Sequence, residues 1–463
     1  MTSAAPIEAP APGQLGCAVF RKRHGLRYAY VAGSMFKGIA SKEVVIAMGR
    51  AGMLGYLGTG GLKPERIEAD IRAIRAALDP SGAAYGMNLL ATPFRPDLER
   101  ACVDLFLRYG VPRVEASAFT QITPDLIRYR LTGLVRAPDG RPQPRHQVLA
   151  KVSRPEVARA FLSPPPAAIV ERLLACGEIT REAAELAPLV PVAGDLCVEA
   201  DSGGHTDQGV LHTLLPVILD LRDELAALHR YPERLCIGAA GGLGTPHAMA
   251  AALVLGADFL LTGSINQCTV EAGTSDAVKE LLARAEVQDT ELVPAGDLFE
   301  TGAKVQVFRK GLLFPARAKK LYDLYRQYPS LDALDAATRE QLEKRYFQRS
   351  LDAVYEETRA YYLRTMPEVI EAAERNPKKK MALVFRWYFV HSTRLAMRGE
   401  PGAQVDYQIH CGPALGAFNR LVRGTPLEPW RARHVDAIAL FLLQQTSELL
   451  KKRFRAILEP SSP

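Results

Sequence analysis

The chain contains no Cys-x-x-Cys pair, although it has seven cysteines among its 463 residues. An odd number without metal-type spacing argues against a disulfide framework and a zinc site, and points to a reducing cytoplasm. No apolar run reaches the length of a membrane helix. The best, Ala437 to Leu443, is followed at once by Gln444 and Gln445. The opening residues, MTSAAPIEAPAPGQ, lack the basic-then-apolar order of a signal peptide and read as a disordered Ala/Pro tail over 1–14. There is no internal repeat and no recognisable nucleic-acid-binding motif. What is present is a globular composition, 48% hydrophobic and 24% charged, in a chain too long for one ordinary compact domain.

The net charge of +7 is unevenly placed. Residues 301–463 hold 28 Lys+Arg against 17 Asp+Glu, whereas residues 1–300 hold 30 against 34. The basic surplus therefore belongs to the C-terminal third. It reads either as solvated helix faces or as a surface for nucleic acid, anionic lipid or an acidic protein.

From residue 28 to 264, eight β-prone apolar runs alternate with helical patterns: YAYVAG, LGYLG, YGMNLL, RVEASAF, QVLAKVS, LCVEAD, LCIGAAGG and ADFLLTGS. Alternation of this kind implies parallel pairing through right-handed crossovers. Eight units over roughly 250 residues match a (β/α)8 TIM barrel, with a doubly wound open sheet as the alternative. The expected division is a tail over 1–14, a barrel over 15–305 with a helical insertion at about 154–190, and a mainly helical domain over 306–463. Ser163-Pro-Pro-Pro166 must break any helix within the insertion. KVQVFRKGLLF predicts a hairpin turning at Lys310-Gly311, and 317–326, 337–364, 382–391 and 435–450 read as helices.

In such a barrel, function is built from loops at the C-terminal strand ends. The last two strands run into Gly241-Gly-Leu-Gly-Thr-Pro246 and Thr262-Gly-Ser264, each leading into a helix. Glycines there let backbone N–H groups approach a phosphate, and a helix N-terminus favours an anion. Pro246 suits a first helical turn and Thr245 its cap. The loop Ala32-Gly-Ser-Met35 and Asn88 complete a mouth fit for a flat phosphorylated cofactor, Asn88 offering an amide to a ring edge or simply forming a turn.

Gly203 and Gly204 permit a turn that presents His205, for which three readings stand. It is a donor or general acid, a metal ligand with Asp201, Asp207 or His212, or a structural cap. No second motif supplies further metal ligands. Asp207 reads better as a cap than as an acid. Lys151 is a second cation near the reacting group or a strand-end lysine. Cys268 and Cys411 read as buried thiols, Trp387 and Tyr388 as packing, and Lys378 to Lys380 as solvated charge.

Taken together, AGSM, GMNLLATPF, AKVSRPEVA, VEADSGGHTD, GAAGGLGTP, TGSINQCTVEAGTSD, KVQVFRKGLLFPARAKKLYDLY, MALVFRWYF and DYQIHCGPALGAFNRLVRGT resemble the PfaD family. These are trans-acting flavin enoyl reductases of polyunsaturated fatty acid synthases and trans-acyltransferase polyketide synthases, with a barrel like that of nitronate monooxygenases. The resemblance implies FMN with its phosphate on Gly241, Gly242, Gly263 and Ser264 and its ring near Gly33, Ser34, Met35 and Asn88, Gly203 and Gly204 lying alongside. It implies NADPH, or NADH, as reductant, an enoyl thioester on an acyl carrier protein as substrate, and His205 and Lys151 as catalytic residues. No metal, nucleic acid or membrane is expected, and self-association is left open. Competing readings are a nitronate monooxygenase-like oxidase and a non-catalytic carrier-protein scaffold.

Overall fold

The computed structural model of the chain describes residues 10–458. Eight parallel strands close into a barrel: β1 Tyr30–Ala32, β2 Leu54–Leu57, β3 Gly86–Leu90, β4 Arg113–Ser117, β5 Gln147–Val152, β6 Asp195–Glu199, β7 Cys236–Ala240 and β8 Leu260–Thr262. They follow one another in chain order, and β8 closes on β1 with Tyr30 opposite Leu260 and Ala32 opposite Thr262. The expected barrel is present and the open sheet is not. The strands read as nearly continuous apolar runs because helices cover their outer face while the barrel interior buries the other. In the helix Pro64–Leu78, for example, the buried Ile67, Ile71, Ile74 and Leu78 recur at three- and four-residue spacing. Ser41, Thr123, Thr180 and Thr245 cap barrel helices, each accepting a backbone N–H from three residues on.

Between β5 and β6 lie three helices, Pro155–Leu162, Ala167–Ala175 and Arg181–Leu186, the first two separated at the expected prolines. An ionic plug closes the opposite end of the barrel. Asp195, fully buried at the start of β6, accepts from Arg23 at 2.5 Å and His24 Nε2 at 2.8 Å. Arg113 Nε donates to His24 Nδ1 at 3.0 Å, so the imidazole is neutral with its proton on Nε2. Burial works against ionising Asp195, but Arg23 and His24 outweigh it and hold the carboxyl below its ordinary range.

The described residues divide into two compact units. One comprises 10–202, 207–273 and 417–458, and the other comprises Gly203–Thr206 and Thr274–Gly416. This division differs from the expected boundary at 305/306. The final helix, Val435–Leu458, packs on the helices Pro246–Val254 and Lys42–Arg50 of the barrel unit. Arg433, only 1% exposed, clips the approach to it by donating to Asn419 Oδ1, Leu427 O and Glu428 O. The expected tail does not extend over residues 10–14. Residues 1–9 lie outside the described residues, whereas Pro12–Gln14 form a 3-10 turn and Ser447 Oγ donates to Pro10 O at 2.7 Å.

The second unit holds a three-stranded antiparallel sheet ordered Thr290–Pro294, Lys304–Phe308, Gly204–His205. The strand in KVQVF is therefore real, but its hairpin partner lies upstream and no hairpin turns at Lys310-Gly311. The downstream half becomes the helix Phe314–Gln327, because Phe314, Ala318, Leu321 and Leu324 bury at helical spacing. The expected helix over 337–364 is broken. A π-helical turn, Leu342–Phe347, leads to Gln348 at φ 55°, and Ser350 caps a new helix, Leu351–Thr365. Thr274–Gly416 holds 22 Lys+Arg against 20 Asp+Glu, so the basic surplus does not follow this unit. No helix among the described residues is long and apolar enough to cross a membrane.

Candidate functional site

At the C-terminal end of the barrel, the loops after β7 and β8 belong to adjacent strands. Gly241 and Gly242 sit at φ 89° and 72°, a region that side chains rarely adopt. A Cβ on Gly241 would meet the Ala200 backbone at 2.7 Å, which fixes the loop against β6. At Gly242 and Gly263 a Cβ would meet nothing within 4 Å. Thr245 Oγ1 accepts from Ala248 N at 3.3 Å, and Pro246 opens the helix. Two open glycine positions beside the positive end of a capped helix fit the phosphate of a nucleotide-type cofactor.

Across the barrel mouth, β3 to β6 supply a buried polar cluster. Lys151 Nζ from β5 lies 3.0 Å from Glu199 Oε1 of β6. Glu115 of β4 is fully buried. It accepts from Ser34 N at 3.1 Å and from the Ser34 hydroxyl. Asn88 Nδ2 donates to Ser117 Oγ at 2.8 Å and to Glu115 O at 3.0 Å. Burial would lower the Lys151 ammonium, but Glu199 and Glu115 outweigh it and hold it above the ordinary lysine range. Burial pushes the Glu115 carboxyl up, against Lys151 and Ser34. The first loop is set against its neighbours at two points. Gly33 leaves no room for a Cβ beside Leu261, and a Cβ on Gly58 would overlap the Met35 carbonyl oxygen.

His205 stands in the second unit. Gly203 is forced by proximity, since a Cβ would meet the Cys411 and Gly412 backbone at 2.8 Å. Gly204 is forced by its φ of 87°. Together they bring His205 into pairing with Val305, with its Nε2 2.9 Å from Asp297 Oδ1 and its side chain half exposed. Partial desolvation would raise the carboxyl of the exposed Asp297 side chain, but the bond from His205 outweighs it and leaves the group below its usual range.

The remaining residues fall into structural places. Asp207 accepts from Ser153 Oγ at 2.5 Å. Among the described residues no group of three or more His, Cys, Asp or Glu is arranged to hold a metal ion. Buried Cys268 lies 3.5 Å from Arg433 Nη1, and Cys411 is buried. Tyr388 is buried and donates to Asp406 Oδ1 at 2.6 Å, while Trp387 stacks on His391 at 4.4 Å. Lys378, expected to be solvated, instead donates to Tyr325 O and, at 2.5 Å, to Tyr328 O, ending the helix Phe314–Gln327. Lys380 sits 4.2 Å from the Tyr355 ring centroid. Sequence reasoning missed Glu115, Glu199 and Asp297. The first two lay inside strand runs read as apolar, their only signal being a charge within a buried strand. Asp297 lies 92 residues from its partner and carried no signal.

The enoyl reductase domain of MlnA, from the macrolactin cluster of Bacillus amyloliquefaciens, superimposes with a TM-score of 0.92 at 45% identity, covering 96% of this chain and 99% of that one. The chain belongs to the PfaD family. Another relative of this PfaD-family chain is the polyketide biosynthesis protein PksE of Bacillus subtilis, 52% identical over 448 residues. A polyunsaturated fatty acid synthase polypeptide of Thraustochytrium is 46% identical over 421 residues. The chain spans 58% of the PksE length and 28% of the synthase polypeptide. FabK of Thermotoga maritima, at 18% identity and a TM-score of 0.57, shares the fold. Residues 328–407, within the second unit, match the family described as the inserted helical domain of [acyl-carrier-protein] S-malonyltransferase.

Proposed function

We propose that this chain is an FMN-dependent enoyl reductase. It reduces the 2,3-double bond of an enoyl thioester borne by an acyl carrier protein, with NADPH or NADH as reductant, within a polyketide or polyunsaturated fatty acid synthase. The observation that carries this reading is the end-to-end likeness to the MlnA enoyl reductase domain. The likeness of 328–407 to a domain from an acyl-carrier-protein transferase supports the carrier-borne substrate.

FMN, when bound, supplies the two-electron carrier between nicotinamide and enoyl thioester. Gly241, Gly242, Gly263 and Ser264 would hold its phosphate; the open backbone at Gly242 and Gly263 suits a ligand that approaches the main chain. Gly33, Ser34, Met35 and Asn88 would lie along its ring. Glu115 holds the Ser34 amide and hydroxyl, so this edge is shaped before the cofactor arrives. Asn88 Nδ2 is engaged by Ser117 and Glu115, which leaves its amide oxygen as the group it presents. Lys151 stays cationic against its two carboxylates and offsets negative charge at the mouth. His205, on the loop shaped by Gly203 and Gly204, is the donor or proton source for the thioester as negative charge develops on it, where a donor stabilises the transition state more than the ground state.

The test is the visible spectrum of the purified protein, followed through anaerobic NADPH and then a crotonyl-type thioester. A yellow protein that bleaches and then recovers its colour without oxygen supports the reductase. Recovery with air alone supports the oxidase reading instead. A colourless protein that takes up no added FMN overturns both.

A further inference from the structure

His205 does not stand alone in the second unit. Its partner Asp297 lies between the strand Thr290–Pro294 and the turn Phe299–Thr301, and this segment is held from behind by the helix Pro377–Arg398. Arg386 Nε donates to Gly296 O at 3.0 Å. A Cβ at Gly296 would meet Phe389 Cβ at 2.5 Å, so the backbone beside Asp297 presses directly on the helix. Two residues of the FRWYF run thus fix where the carboxylate stands. The strand Lys304–Phe308 fixes the histidine through the pairing of Val305 with His205.

We propose that Asp297 is a positioning residue for His205, holding its proton on Nε2, favouring the imidazolium, and so making the Nδ1–H the proton source for the reduced product. The proposal rests on the enoyl reductase reading and adds to it a residue and a ring atom. In the step, hydride derived from the reduced nicotinamide forms the bond at the β-carbon of the thioester. The Nδ1–H bond of His205 breaks and its proton forms the bond at the α-carbon. The ring is left neutral, with Nε2–H still donating to Asp297, and solvent restores the Nδ1 proton. A carboxylate bound to one imidazole nitrogen fixes the tautomer and stabilises the cation, as in other histidine–carboxylate pairs.

Other titratable and charged groups stand near the pair. Besides His205, His410 acts on the Asp297 carboxylate, and its Nε2 lies 2.9 Å from Gln408 Nε2. The Gln408 amide therefore donates to it, which places the His410 proton on Nδ1. Arg386 is bound to the neighbouring carbonyl and lies 4.0 Å from Glu300. Lys304 adjoins Val305 on the pairing strand. Both members of the His205–Asp297 pair are more than half exposed, at 51% and 63% of their side chains. Such a pair contributes little to stability, so breaking it leaves the fold intact and isolates its effect on the histidine.

The test uses full-length protein with FMN, comparing Asp297→Asn and Asp297→Glu with the unsubstituted chain. Two readouts are taken: the NMR titration of the His205 ring, assigned with His205→Ala, and the pH profile of kcat/KM on an enoyl thioester. The anion favours the cationic ring, and the ring donates a proton only below its pKa. Asp297→Asn should therefore move the His205 titration and the alkaline limb of kcat/KM to lower pH together, by about half a unit. Asp297→Glu should restore most of both. An unmoved titration overturns the pairing, and a moved titration with an unmoved limb overturns the proton-source role. The titration reads the ring whether or not the enzyme reduces enoyl thioesters. A failure of the reductase reading, seen as absent turnover in the unsubstituted protein, is thus separable from a failure of the pair.

Discussion

Asp195 shows how much one side chain contributes when it is buried among cations. Its carboxylate faces Arg23, His24 and, through His24, Arg113, at the closed end of the barrel. Removing one member leaves buried charge uncompensated, which costs about 3–5 kcal/mol. The folded pKa of Asp195 is depressed, so its stabilisation is present above the unfolded pKa of about 4 and is lost as pH falls through the folded value. Asp195→Asn should therefore melt well below the unsubstituted protein at pH 7. The gap between the two melting temperatures should narrow as pH drops below about 4. A gap independent of pH would mean that the charge on Asp195 is not what matters. The sequence contained every member of this plug, but Arg23 and Asp195 stand 172 residues apart and only barrel closure brings them together.

The glycine-rich loops show what an element reveals in advance. GGLGTP after an apolar run could be read as strand, turn and capped helix because each residue type answers a local backbone need. The structure adds a difference between neighbours that no local rule contains. Gly241 is confined by Ala200, whereas Gly242 faces open space. Gly242→Ala should fold, carrying the ~1 kcal/mol strain of its positive φ, yet lose at least tenfold in FMN affinity because its Cβ enters the phosphate approach. Flavin fluorescence quenching on titration measures this directly. Unchanged affinity would remove the phosphate from that loop. The hairpin expected at Lys310-Gly311 failed for a related reason. A turn signal says that the chain bends, not which strand it returns to.

For the whole molecule, the division into units decides how the charge is read. The surplus in residues 301–463 looked like the property of one basic helical domain, but residues 417–458 pack with the barrel. Lys378 is spent on the carbonyls ending the helix Phe314–Gln327 rather than displayed for a partner. Lys378→Glu should lower the melting temperature, by an amount corresponding to about 1 kcal/mol, while Lys379→Glu should not. Equal melting of the two variants would return Lys378 to the surface and reopen it as a docking charge.

The alternating apolar runs, their caps and their prolines determined the eight strands, the parallel α/β architecture and the glycine-rich turns into helices after the last two strands, because those depend on periodicity and on residues a few positions apart; closure of the sheet into a barrel was decided by the pairing of the last strand with the first. The family likeness was legible for the same reason, in short motifs. Tertiary structure alone decided that the last helix joins the barrel, that Glu115 and Glu199 flank Lys151, and that Asp297 meets His205. An amphipathic helix does not specify which core it covers, and a buried charge does not name its partner. Both are settled only when segments distant in sequence close on one another and each charge must find its counterpart away from water.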